Sequence, residues 1–158
     1  MTAQADPVTI HSPWLGDIET DPEAELLFPG GLPGFEDQRR MAPFEIPSQR
    51  PLVYLQSLDR ADVCFVALPV FVIDPAFRLE LGEEERAILG FPEHAEPAIG
   101  SDVLCLALLR KSGPVVEANL KAAIVINLRN RRGVQCVPPG GLPAPFRLSA
   151  DGLWRPGC

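Results

Sequence analysis

The chain has 158 residues, 46% of them hydrophobic and 22% charged, with 13 glycines and 18 prolines. That length and apolar fraction suit one globular domain with its own core, and prolines at this frequency exclude a long-helix bundle or a coiled coil, because each interior proline removes a hydrogen bond and clashes with the preceding turn. A formal charge of −7 disfavours general binding to nucleic acid or to an anionic membrane, which both need a cationic footprint; a basic protein partner would be attracted.

The N-terminal stretch MTAQADPVTIHSPW lacks the basic and apolar regions of a secretory signal. Residues 1–12 read as a frayed end, residues 13–137 as the domain and residues 138–158 as a Pro/Gly-rich tail. Trp14 to Thr20 alternates loosely and suits a first strand, and Glu25 to Phe28 suits a short second one. Pro29 to Gly34 (PGGLPG) is turn chemistry. A helical turn is expected at Glu36 to Arg40, then a short strand around Phe44 and Ile46. Leu52 to Leu58 and Val63 to Ile73 predict strong strands, joined through Asp59-Arg60-Ala61-Asp62 as a hairpin. The second is the longest apolar run, about half of what spans a bilayer, and Pro69 within it marks a bulge or an edge position.

Phe77 to Leu81 alternates cleanly and predicts a strand with Phe77, Leu79 and Leu81 on one face. Gly82 to Gly90 (GEEERAILG) predicts the one helix, with three glutamates in its first turn, where the macrodipole favours negative charge, and Gly90 as its left-handed stop. Val103 to Leu109 and Ala122 to Leu128 show no polar alternation, so they belong to strands covered on both faces. Arg129 to Gly133 (RNRRG) then turns into Val134 to Val137 as a hairpin. Beyond Val137 no stable regular element is expected, although Leu142, Phe146, Leu148 and Trp154 can lay part of the tail on the domain. The whole reads as mainly β, a small antiparallel β-barrel-like domain with one short helix; a sandwich is the second choice.

Little catalytic equipment accompanies this fold. His11 lies in the expected frayed end and His94 in a Pro-flanked loop, neither near a serine-nucleophile context. Cys64, Cys105, Cys136 and Cys158 form no CxxC pair, which speaks against zinc, and three of them sit in apolar runs as small hydrophobes. The carboxylates are better explained by helix electrostatics and solvated faces than by a catalytic pair. PGGLPG lacks the Lys-Ser/Thr of a phosphate-binding loop. It is braced, though, and with Leu32 and Phe35 exposed it would be preorganised for a protein partner. RNRRG, with Arg129, Arg131 and Arg132, is the one basic cluster. These residues favour a binding module without catalytic, cofactor or metal residues over an enzyme. An RNA-binding regulator working through the Arg129–Arg132 loop is the alternative.

Three stretches, in order, carry a resemblance: Phe28 to Glu36 (FPGGLPGFE); Tyr54 to Ser57 (YLQS) with Asp59 and Cys64 to Pro69 (CFVALP); and Asn119 to Gln135 (NLKAAIVINLRNRRGVQ). Together they resemble the bacterial flagellar assembly factor family FliW, over roughly residues 14–137. The chain departs from that pattern with Ala123 in place of a common proline and Tyr54 in place of a frequent tryptophan. The resemblance implies a cytoplasmic, β-barrel-like protein without enzymatic activity. It implies two partners, flagellin and the basic RNA-binding dimer CsrA, whose repression of flagellin translation the factor relieves. No direct contact with nucleic acid or membrane is expected, and nothing in the strand pattern demands more than a monomer. The candidate partner-binding residues are Leu32, Phe35 and Glu36 in the GLPGFE loop, Gln56 and Asp59 near the first hairpin, and Asn119 and Asn127 flanking a buried strand.

Overall fold

The computed structural model describes residues 8–12, 16–112, 114–137 and 146–149. Its frame is one long antiparallel sheet built from β3 (Leu26–Leu27), β4 (Arg40–Phe44), β5 (Val53–Ser57), β6 (Cys64–Pro69), β7 (Val103–Ser112), β9 (Ile124–Asn127) and β10 (Gly133–Gln135). Their order across the sheet is β10-β9-β7-β6-β5-β4-β3. The sheet curls until its two ends meet: Leu27 pairs in parallel with Arg132, and the Leu27 N–H donates to the Arg131 carbonyl at 2.9 Å. That seam nearly closes a barrel, which removes the exposed edges an open sheet would present.

β7 is long enough to serve two neighbours on one side. Val103–Leu106 pairs with β9, and Leu109–Ser112 pairs with β8 (Val115–Ala118).

The apolar runs without alternation find their reason in two cores. Leu106, Ile124 and Ile126 face the barrel interior with Leu26, Phe28, Leu32, Met41, Leu55 and Ala67. Val103, Cys105, Ala107 and Val125, at alternate positions, face outward under a second cover that includes Val70 and Leu89. Both faces of β7 and β9 are therefore dry, as a strand buried on both sides requires. Each fully buried aliphatic side chain in such a core contributes on the order of 1.5–3 kcal/mol of transfer free energy.

Several expectations give way. The run Val63 to Ile73 is not one strand: β6 ends at Pro69, which has no N–H to continue the ladder, and α1 (Val70–Ile73) follows directly. The helix at Gly82–Gly90 is present as α2 (Glu83–Leu89), with Gly90 left-handed at φ 83. The chain therefore has two short α-helices among its described residues, not one, besides 3-10 turns at Pro22–Ala24 and Pro47–Gln49. Phe77 to Leu81 forms no strand, yet Phe77, Leu79 and Leu81 all pack on the outer core; the alternation was a signal of facing, not of ladder pairing. Glu36 to Arg40 is a turn leading into β4 and not a helical turn.

Within the expected frayed end, β1 (Val8–Ser12) pairs with β2 (Gly16–Thr20). Ile10 and Ile18 anchor this hairpin on Ala42, with Phe44 and Leu58. In the tail, β11 (Phe146–Ser149) pairs with β8, so a regular element exists where proline content argued against one. The anchors Leu142 and Trp154, and Trp14 at the start of the first expected strand, lie outside the described residues.

Gly133 shows how tightly the seam is built. A Cβ there would overlap Cε1, Cζ and Cδ1 of the Phe28 ring, and Phe28 is fully buried. Gly133→Ala is expected to cost about 1–3 kcal/mol through overpacking, read as a lower urea midpoint with an unchanged slope.

Candidate functional site

The GLPGFE loop returns on itself immediately after Phe28. The Gly31 N–H donates to the Phe28 carbonyl at 2.9 Å, the Phe35 N–H to the Leu32 carbonyl at 2.7 Å, and the Gln38 N–H to the Phe35 carbonyl at 3.0 Å. Gly31 takes φ +66, and a Cβ on it would sit 2.6 Å from the Phe35 carbonyl oxygen and from Glu36 Cα. Only glycine fits there. This tight return corrects one expectation: Leu32 is 1% exposed. The turn swings it inward onto the barrel core, so it is a core residue and not an exposed anchor. Phe35 is half-buried and meets Phe65 edge-on, with ring centroids 5.0 Å apart and planes at 87°, a favoured aromatic geometry. Glu36 is exposed. The Gly34 N–H donates to its Oε1 at 3.1 Å, which holds the carboxyl below the usual range.

Gln56 and Asp59 lock the neighbouring β5–β6 turn. Gln56 is fully buried, and its Nε2 lies 3.1 Å from the Ser57 carbonyl, 3.1 Å from Ala61 and 3.0 Å from Val63. The Ser57 Oγ accepts the N–H groups of Asp59 and Arg60 at 3.1 and 3.0 Å. Asp59 then crosses to the other loop: its Oδ2 accepts the Arg39 and Arg40 N–H groups at 2.9 and 3.2 Å, and its Oδ1 lies 3.4 Å from Arg40 Nη2. Partial burial alone would raise the Asp59 carboxyl, but those two N–H donors and the Arg40 guanidinium outweigh it and hold the group below its ordinary value. Arg60 grips Asp62 through two contacts, at 3.0 and 2.6 Å, and the Asp37 carboxylate adds to the field on the same guanidinium. One end of the barrel thus carries Glu36, Asp37, Asp59 and Asp62 on a rigid, cross-linked frame.

Asp59 gives a pH prediction. A carboxyl depressed in the folded state contributes stability that is complete above its unfolded value, about 3.9, and is lost as pH falls through the lower folded value. Asp59→Asn is therefore expected to be less stable than wild type at pH 7. Urea titrations from pH 7 downward should show the difference shrinking once the pH passes below about 4.

Asn119 and Asn127 have no contact with that end. Asn119 is half-buried and donates its backbone N–H to the Leu108 carbonyl at 3.3 Å. Asn127 is buried. Its Nδ2 donates to the Leu89 carbonyl at 2.8 Å, at the C-terminus of α2, and its Oδ1 accepts the Arg129 N–H at 2.9 Å. Sequence reasoning missed Asn130, whose Nδ2 donates to the same Leu89 carbonyl at 2.9 Å; an asparagine inside a turn, three residues after another, was the available signal.

The remaining reactive types are quiet. Burial pushes the Cys64 and Cys105 thiols up to about 11 and the Cys136 thiol up to about 12, so these three are protonated at neutral pH and poorly nucleophilic. His11 contacts Asp17 at 2.6 Å and His94 contacts Glu83 at 3.3 Å, each at the surface. Among the described residues no group of three or more His, Cys, Asp or Glu side chains is placed to hold a metal ion, and no helix is long and apolar enough to cross a membrane.

Comparison with known proteins agrees with this geometry. The model of the family described as "FliW protein" matches residues 9–141. The flagellar assembly factor FliW of Azoarcus sp. strain BH72 is 35% identical over 136 residues, covering 81% of this chain and 89% of that protein. That of Caldicellulosiruptor bescii is 29% identical over 126 residues, covering 80% of each. A crystal structure of the flagellar assembly factor FliW superposes with a TM-score of 0.74 at 25% identity, covering 89% of this chain and 96% of that one.

Proposed function

The chain belongs to the FliW family of flagellar assembly factors, and from that premise we propose that it works in the cytoplasm as a non-catalytic, monomeric binder of two proteins: flagellin, as its chaperone, and CsrA, whose repression of flagellin translation it relieves. The observation that carries this reading is a family match running over residues 9–141, well over half of the chain.

The surface chemistry supports it. A basic dimer such as CsrA is attracted by a protein of charge −7, and the carboxylates at the GLPGFE end sit on a frame already fixed by hydrogen bonds. Preorganisation of that kind removes part of the ordering cost of association. Phe35, half-buried beside the exposed Glu36, combines an apolar body with a fixed charge at one spot.

Calorimetric titration of the full chain with CsrA, and separately with flagellin, tests the reading. Binding of both supports it; binding of neither overturns it. Glu36→Lys combined with Asp37→Lys changes two exposed positions and is expected to weaken CsrA binding about tenfold or more, chiefly through a slower, salt-sensitive association rate.

A further inference from the structure

The arginine turn that closes the barrel is built like a contact surface. Its backbone is held from every side. The Arg131 N–H donates to the Asn127 carbonyl and the Asn127 N–H to the Arg132 carbonyl, both at 2.8 Å. The Asn127 and Asn130 side chains accept the Arg129 and Arg132 N–H groups at 2.9 and 3.0 Å, and both donate to the Leu89 carbonyl. Leu27 ties the turn to β3 through the Arg131 carbonyl. Within this frame Arg131 occupies the left-handed region at φ 60, where glycine or asparagine would cost less, yet a long cationic side chain is kept there.

The side chains, in contrast to the backbone, are free. Arg40, Arg50, Arg60 and Arg86 each sit in an ion pair. The exposed guanidinium groups of Arg129, Arg131 and Arg132 are paired with no carboxylate among the described residues, as are those of Arg39, Arg78, Arg110 and Arg147, but only in this turn do three such groups fall within four residues. Two of the large exposed hydrophobic residues belong to the same seam: Leu27 at 41% and Leu128 at 45% exposure. Beside Leu128 and Arg129 opens a concavity of about 360 Å³, with Phe91 and Pro97 in its wall together with the acidic residues Glu96 and Asp102, so the carboxylate-binding part of the surface is the turn itself and not this hollow.

We propose that the Leu128–Arg132 turn, together with Leu27, is a docking surface for a protein segment that carries carboxylates and apolar side chains. Three free guanidinium groups match planar, bidentate carboxylate recognition, and arginine beside apolar anchors is the composition that concentrates binding energy at protein interfaces. The choice of protein over RNA rests on the apolar part of the surface: Leu27 and Leu128 are both exposed beside the guanidinium groups, and a partner that supplies apolar side chains as well as carboxylates covers them, which a nucleic-acid backbone does not. A basic partner is repelled by this turn, so the surface is distinct from the Glu36–Asp37 loop and stands whether or not the two-partner reading holds.

The test uses the full chain and defined probes: a short fluorescein-labelled peptide of Leu, Asp and Glu; the same peptide with its carboxylates changed to amides; the same with Leu changed to Ser; and a short single-stranded U-rich RNA. Fluorescence anisotropy should show binding of the first peptide and loss of affinity of about tenfold or more for the other two. The same loss is expected for the first peptide with the Arg129→Gln/Arg132→Gln variant and with Leu128→Ser, at unchanged melting temperatures. Absence of peptide binding, binding indifferent to these substitutions, or preferential RNA binding with a steep salt dependence would each overturn the proposal.

Discussion

Leu32→Ala is expected to lower the free energy of unfolding by about 2–5 kcal/mol, the range for removing a fully buried leucine and leaving its cavity. The side chain is 1% exposed and packs in the barrel core with Phe28, Met41 and Ile126, while its backbone closes the tight return of the GLPGFE loop. Leu32→Met keeps most of the volume and should cost less than about 1.5 kcal/mol. Urea denaturation of both variants checks this. Partner affinity, measured where Leu32→Ala is still folded, should stay close to wild type, because the side chain does not reach the surface. Wild-type stability combined with lost binding would contradict this placement.

Gln56→Ala carries the second large effect, about 2–4 kcal/mol, from lost volume plus carbonyls left without a donor. One fully buried Nε2 lies within 3.1 Å of the Ser57, Ala61 and Val63 carbonyls. The Val63 carbonyl keeps the Ser57 N–H at 2.9 Å, so the unmet demand falls on Ser57 and Ala61. Amide exchange across residues 58–62 should accelerate along with the fall in stability. Gln56→Glu supplies a sharper control: only a protonated acid can donate to those carbonyls, and burial raises a carboxyl. That variant should therefore be less handicapped, relative to wild type, at pH 5 than at pH 8.

The legible part of this fold was what local chemistry decides. Missing polar alternation in Val103 to Leu109 and Ala122 to Leu128 announced strands dry on both faces, and two separate cores meet there. The helix at Glu83–Leu89 was marked by its acidic first turn and by Gly90. What stayed hidden depends on distant partners. Val8–Ser12 becomes a strand because Gly16–Thr20 returns to pair with it and Ala42 receives Ile10 and Ile18; position near the terminus was a poor guide. Phe146–Ser149 pairs with β8, which lies some thirty residues earlier and whose four residues carry no strand signal of their own.

The candidate residues divide in the same way. Phe35 and Glu36 belong to the GLPGFE loop and Gln56 and Asp59 to the neighbouring hairpin, two segments that Asp59 ties together through the Arg39 and Arg40 N–H groups; a contact across twenty residues is not legible in the sequence. Leu32 stood in a Gly/Pro-rich loop, and nothing in that composition tells which way a single leucine turns; the left-handed Gly31 decides it. Asn127, a polar residue closing an apolar strand, spends its side chain on the last carbonyl of α2, a partner 38 residues away that the sequence does not name. The arginine turn is legible in the sequence as the one basic cluster, while its locked backbone, held by Asn127, Asn130 and Leu27, is visible only in three dimensions.

The central claim, one protein linking two partners, is tested most directly by competition. A preformed complex of this chain with CsrA is titrated with flagellin while free CsrA is followed through its binding to an RNA target. Flagellin is expected to displace CsrA, so the apparent affinity for CsrA falls as flagellin rises and RNA binding returns, as reciprocal linkage demands. Flagellin joining the complex with CsrA still bound and RNA still excluded would contradict the account.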